Sequence, residues 1–181
     1  MASNDYTSKS QEYQTPKEIY QPILDFIDED KFGVDVCCSE DNIPAIWHLK
    51  KQANGYKMDW QHYNVCWMNP PWKYTKDWLQ KAFSEVLKYN CEVWCCIPGD
   101  RLNTVFFNEF LNGNDYWFIA ALTGKFNFHN AAASKEENEK NAKNGGLNTP
   151  VFILYIGKNA DEYAKRWQHE QPIKSIVLRS M

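Results

Sequence analysis

"VCWMNPPWKYTKDWLQKAFSEVLKYN", residues 65–90, sets a short apolar run against a helical pattern, with two consecutive prolines between them. The opening run, extended back to Tyr63, has the length and apolar continuity of a strand buried on both faces. Beyond the prolines, Trp78, Leu79, Ala82, Phe83, Val86 and Leu87 recur at helical spacing, and Thr75 with Asp77 suits a helix start. Pro70 and Pro71 fix φ and carry no N–H, so they hold a rigid turn between the two elements. The unit is strand, stiff turn, helix.

The alternation extends in both directions. Upstream, "FGVDVCC" at 32–38 reads as a buried strand closed by "SEDN". "TPKE" at 15–18 reads as a helix start, with Thr15 as cap, Pro16 in the first turn and Glu18 completing a capping box. Pro22 lies inside the apolar pattern that follows and predicts a kink or an early end. Residues 43–56 are ambiguous, with a short helix through Trp47 and Leu49 as the working assignment. Downstream, "CEVWCCIP" at 91–98 is a strand, "RLNTVFFNEFL" a helix, "YWFIAAL" a strand and "KFNFH" at 125–129 a candidate fifth strand. "PVFILYIG", "ADEYAKRWQHE" and "IKSIVL" then give strand, helix, strand. The pattern predicts an α/β fold, a mixed and mostly parallel sheet with helices on both faces, whose ligands lie beyond the carboxyl ends of strands. Asp35–Asn42, Asn69–Trp72 and Pro98–Arg101 occupy such ends.

The 181 residues allow one domain, assigned to 13–181, preceded by a polar arm at 1–12 that reads as flexible. Residues 130–149 are polar and charged and read as an exposed loop with a helical turn in it. Net charge is −3, which argues against coating nucleic acid through bulk charge but leaves room for a local basic patch. No run approaches the roughly 18 apolar residues of a membrane span. Six cysteines, at 37, 38, 66, 91, 95 and 96, show neither C-x-x-C nor zinc spacing. They read as reduced, buried thiols of a cytoplasmic protein without a metal.

The Asn69-Pro70-Pro71-Trp72 turn has its own chemistry. The Asn69 side chain and the Pro70 carbonyl can present two acceptors at a fixed separation, matching the two hydrogens of an amine on a planar ring. Trp72 offers a flat face on which that ring can stack, worth about 1–3 kcal/mol for a base. Holding the amine hydrogens out of plane localises the nitrogen lone pair for attack on an activated methyl group, by orientation and placed dipoles rather than a shifted pKa. A base in duplex DNA reaches such a pocket only when flipped out. A plain structural reading stands beside this one: Pro-Pro is a common exit from a sheet, and Trp72 can be a half-buried core ring.

The layout resembles the phage-type, Dam-like DNA N6-adenine methyltransferases that use S-adenosylmethionine. The residues that carry the resemblance are "TPKEIYQPI", "FGVDVCCSEDN", "CWMNPPW", "WLQKAFSEV", "VWCCIPGDRLNTVFF", "LTGKFNF" and "TPVFILYIG", spanning about 13–157. The resemblance implies a Rossmann-like methyltransferase sheet with S-adenosylmethionine near Thr15, Asp35, Cys37, Ser39 and Asn69. It implies Asn69, Pro70, Pro71 and Trp72 as the catalytic turn, double-stranded DNA with a flipped adenine as substrate, and a phage or prophage origin in which the mark evades host restriction. Arg101 and Lys125 are candidates for the nucleic-acid phosphates, or simply solvated charges. Thr15 can be a plain helix cap, and Asp35 and Asn42 can cap a strand end and a turn. His129 reads as structural. A glycine-rich loop is absent, and Trp72 stands where Tyr or Phe is more usual. Tryptophan there also occurs in RNA adenine methyltransferases, and asparagine at position 69 also fits enzymes acting on protein glutamine. A non-catalytic binding protein of the same fold is the alternative from another class.

Overall fold

A computed structural model describes residues 13–50, 54–112, 114–130, 133–143 and 150–178. The expected arm at 1–12 lies outside these residues, as do 131–132 and 144–149 of the expected loop. In chain order the elements are β1 (Tyr13–Gln14), α1 (Lys17–Ile27), β2 (Phe32–Asp35), β3 (Ala45–His48), β4 (Val65–Met68), α2 (Thr75–Tyr89), β5 (Glu92–Pro98), α3 (Val105–Asn112), β6 (Trp117–Leu122), β7 (His129–Asn130), α4 (Lys135–Lys143), β8 (Val151–Ile156), α5 (Ala160–Glu170) and β9 (Ser175–Leu178).

Seven strands form one mixed sheet in the order β3-β2-β4-β5-β8-β6-β9, flanked by helices. The pairs among β3, β2, β4 and β5 are parallel, and β8 and β9 run against the rest. Burial on both faces explains the continuous apolar runs, because each strand must cover two layers. One face carries the cross-strand row Trp67–Trp94–Tyr155–Phe118, four fully buried rings in register. Ile19, Ile23 and Phe26 of α1 and Ala164 and Trp167 of α5 belong to this core. The other face carries Val34, Cys66, Val93 and Ile156, packed with Trp78, Leu79 and Phe83 of α2 and Phe107 and Leu111 of α3.

Four local expectations change. Residues 45–48 form β3, a parallel edge strand paired to β2 through Phe32↔Ala45 and Val34↔Trp47, not a helix. Its β-branched and aromatic residues suit a pleated surface, and Ile46 and Trp47 remain exposed at the sheet edge. The 101–111 helix is broken: a short 3₁₀ turn covers Gly99–Asn103, Thr104 is extended, and α3 follows. The Thr104 hydroxyl accepts the Phe107 N–H at 3.3 Å, a better use of threonine than a helix interior. The strand expected at 125–129 shrinks to β7, which pairs with β1 outside the main sheet. Both edges of β6 are already taken, by β8 and β9, so no sheet position beside it is open to the segment that follows. The 130–149 loop contains α4, a full helix with no large apolar residue. Its start is a capping box: Ser134 Oγ accepts the Glu137 N–H at 3.2 Å and Glu137 Oε2 accepts the Ser134 N–H at 2.9 Å.

Helix α1 runs through Pro22 to Ile27, where Asp28 closes it in the left-handed region, φ 56°. The hydrogen bond that proline cannot make would reach Glu18, in the exposed first turn, while Ile19, Ile23 and Leu24 are fully buried. Packing of one face outweighs a single lost bond at a solvated carbonyl.

Candidate active site

Strands β2, β4 and β5 lie side by side and parallel, so Asp35, Asn69 and the Gly99–Arg101 turn come off one end of the sheet. Asn69 follows β4 directly and is half-buried. Its Nδ2 donates to the Tyr13 carbonyl at 2.6 Å and to Thr15 Oγ1 at 3.1 Å. A carbonyl can only accept, so the amide nitrogen must face Tyr13 and Oδ1 must face away. The orientation of the side chain is therefore set by a segment more than fifty residues earlier in the chain.

Thr15 does not cap α1, because Pro16 occupies the cap position and no side chain bonds there. The Thr15 hydroxyl is buried against the Asn69 amide instead, and its carbonyl accepts from Asn42 Nδ2 at 3.4 Å. Asn42 thus ties the turn after β2 to the same segment.

Asp35 is 4 % exposed, and its Oδ1 accepts the Cys37 N–H at 3.1 Å. Burial pushes its carboxyl up to about 7, opposed by the Cys37 bond and by nearby His48. Burial and the adjacent Asp35 likewise push the Cys37 thiol well above its ordinary range, partly offset by a hydrogen bond from the Asn69 backbone. Asp35, Cys37, Asn69 and Thr15 are therefore contiguous. Ser39 lies two residues beyond Cys37 and is exposed.

Pro70 is buried and Pro71 half-buried, and the Pro71 carbonyl accepts the Tyr74 N–H at 2.8 Å as the chain turns into α2. Trp72 is half-buried, neither sunk in the core nor free in solvent. The Tyr13 ring stacks on it at 5.4 Å and 29°, and Phe128 meets it edge-on at 6.4 Å. Trp72 and Arg101 line a common cavity of about 230 Å³ with the first turns of α2 and α3. Lys125 is exposed in the segment between β6 and β7 and does not line that cavity.

Sequence reasoning missed Tyr13, Phe128 and Asn138. Asn138 of α4 grips the backbone of Asn130: Oδ1 accepts its N–H and Nδ2 donates to its carbonyl, both at 2.9 Å. The same Nδ2 reaches His129 Nε2 at 3.2 Å, so His129 is a structural acceptor here. Because Asn130 pairs with Tyr13, α4 is linked through β7 and β1 to the Asn69 amide. Only the S-x-x-E capping box marked α4 in the sequence.

Among the described residues, no group of three or more His, Cys, Asp or Glu side chains could hold a metal ion, and no helix is long and apolar enough to cross a membrane. All six cysteines are free thiols. A search of curated proteins returned no match. The family model for DNA N-6-adenine-methyltransferase (Dam) matches residues 2–159, from before β1 to the start of α5. That span takes in Thr15, Asp35, Asn69, Trp72 and Arg101, and the chain belongs to the DNA N-6-adenine-methyltransferase (Dam) family.

Proposed function

We propose that this chain transfers a methyl group from S-adenosylmethionine to N6 of an adenine flipped out of double-stranded DNA, on a Rossmann-like single domain. The observation that carries the reading is the Asn69 amide, fixed by Tyr13 and Thr15 beside Asp35 and Cys37 in a chain of this family. Asn69 Oδ1 and the Pro70 carbonyl accept the two hydrogens of the adenine amine and localise its lone pair, while Pro71 keeps the pair rigid. Trp72 holds the base by stacking, on the face not covered by Tyr13. Arg101 and Lys125 meet the DNA phosphates.

S-adenosylmethionine, when bound, supplies a methyl group on a positively charged sulfur, together with an ammonium group. The donor set fits such a cation: Asp35 is a buried carboxylate raised to about 7 at the strand end beside Asn69. Thr15, Cys37 and Ser39 complete that side. In a phage or prophage such a mark would shield DNA from host restriction, and six free thiols suit a cytoplasmic setting.

Labelled S-adenosylmethionine offered with unmethylated DNA, RNA and protein tests the reading. Label should enter DNA as N6-methyladenine; label in RNA or protein alone, or no heat on calorimetric titration with the cofactor, would reject it.

Asp35 gives a pH signature. A ligand cation needs the ionised carboxylate, so cofactor affinity should rise about tenfold per unit up to a pH of about 7 and then level off. The stability of the ligand-free chain should move the other way. A carboxyl raised by folding binds more protons when native, so stability falls as pH rises from about 4 towards 7. Asp35→Asn should flatten both profiles, read by calorimetry and by urea titration at each pH.

Helix α4 is polar on every side, which suits an element held out from the core to meet a partner. We assign it to DNA recognition. Removing 131–146 outright would also remove the Asn138 clamp, so reversing charge at Lys135, Lys140 and Lys143 is the cleaner test. The reversal should weaken DNA binding about tenfold or more with cofactor affinity unchanged; unaltered DNA affinity would sink the assignment.

A further inference from the structure

Tyr13 and Asn130 face each other at one end of the β1–β7 ribbon, and Gln14 and His129 at the other. The His129 end adjoins Phe128, which is buried in the core and meets Trp72 edge-on. At the Asn130 end the grip is polar. Asn138 Oδ1 accepts the Asn130 N–H and its Nδ2 donates to the Asn130 carbonyl, both at 2.9 Å. Asn138 sits half-buried on α4, a helix with no large apolar residue to anchor it by burial. Two paired residues on each strand are too few to hold a ribbon by themselves. The position of Tyr13 therefore depends on what holds Asn130.

Direction at Asn69 depends in turn on Tyr13. The two ends of a carboxamide differ only in whether they donate or accept. The Thr15 hydroxyl, 3.1 Å from Asn69 Nδ2, can do either, so it fits both orientations of the amide. The Tyr13 carbonyl, at 2.6 Å, can only accept, and of the two partners it is the one that tells nitrogen from oxygen. If that carbonyl moves away, the amide is free to flip and turn N–H groups towards the place where an acceptor is needed. The Tyr13 ring moves with its carbonyl, and that ring stacks on Trp72.

We infer that Asn138 is a positioning residue for methyl transfer: through Asn130 and Tyr13 it keeps Asn69 Oδ1 facing the adenine amine. The inference rests on the role given to Asn69 in the proposed reaction. It makes α4, the element assigned to DNA recognition, a support of the catalytic turn as well.

A double-mutant cycle tests it, using the full chain, an unmethylated duplex and single-turnover transfer at saturating cofactor and DNA. Asn138→Ala should lower the rate about tenfold, as suits one lost orienting contact, and change the cofactor dissociation constant less than about twofold. Asn138→Asp keeps the size of the side chain but sets a carboxylate oxygen against the Asn130 carbonyl, and should lose at least as much. On an Asn69→Ala background, adding Asn138→Ala should cost less than about twofold, because a residue that acts through Asn69 then has nothing left to position. A clamp that only stabilises the fold would lower the urea midpoint and leave the native rate alone. An undiminished rate in Asn138→Ala, or a second loss of about tenfold on the Asn69→Ala background, overturns the inference and leaves the methyl-transfer reading standing. A wild-type chain that transfers no methyl group to DNA, or an Asn69→Ala chain as fast as wild type, overturns that reading and the inference with it.

Discussion

Asn69→Ala is expected to lower methyl transfer to unmethylated DNA by about 10²–10³-fold, the cost of removing one preorganised dipole aimed at developing charge. The substitution deletes the acceptor assigned to the adenine amine. It also deletes the donor that holds Tyr13 and Thr15, so a control must separate the two losses. Thr15→Val removes the hydroxyl partner at 3.1 Å and leaves Asn69 bonded to the Tyr13 carbonyl. That variant should lose about tenfold, as suits one hydrogen bond in an orienting network. Asn69→Asp sharpens the comparison. It keeps acceptor oxygens but turns one onto the Tyr13 carbonyl, where two acceptors face each other with no hydrogen between them. It should therefore fall well below Thr15→Val. Single-turnover transfer at saturating cofactor checks the series, and equal rates for wild type and Asn69→Ala would remove Asn69 from the chemistry.

The largest stability loss is expected from Glu85→Ala, about 3–5 kcal/mol, because the substitution breaks a largely buried ion pair from one side and leaves a buried backbone N–H unpaired. Glu85 is 3 % exposed on α2, between residues that face the core. One carboxylate oxygen accepts the Trp60 backbone N–H and the other meets Lys81 Nζ, each at 2.6 Å. Trp60 is itself fully buried and donates its indole N–H to the Gly55 carbonyl at 2.9 Å. Glu85 therefore staples the 54–64 segment to α2. Gly55 shows how closely that segment approaches the sheet, since a Cβ there would lie 2.1 Å from the Val36 carbonyl. Without Glu85, Lys81 loses its ion-pair partner while its side chain is only 15 % exposed, and the Trp60 N–H loses its acceptor. Urea unfolding should show a lower midpoint at an unchanged slope. Glu85→Gln, which retains an acceptor for Trp60, should lose less; a loss below about 1 kcal/mol for the alanine would refute the staple.

These residues show how far the sequence reads on its own. Strands β2, β4, β5, β6, β8 and β9 and helices α2 and α5 were legible because regular elements carry local signals: continuous apolar runs, helical spacing and turn residues between them. The Asn-Pro-Pro-Trp turn was legible for the same reason, since proline stiffness is a property of the residue itself. Segment 45–48 became a strand because β2 offers it an edge, and 125–128 stayed out of the sheet because β6 has none to offer. Glu85 reads as a surface charge until Trp60 is folded against it. Thr15 suits a helix cap until Asn69, three strands further along the chain, bonds to its hydroxyl. The sequence by itself determined the alternating α/β order and placed a rigid amide-bearing turn at a strand end. Only the tertiary structure decided which way that amide faces, because its partners are carbonyl and hydroxyl groups that every sequence carries and that distance along the chain conceals.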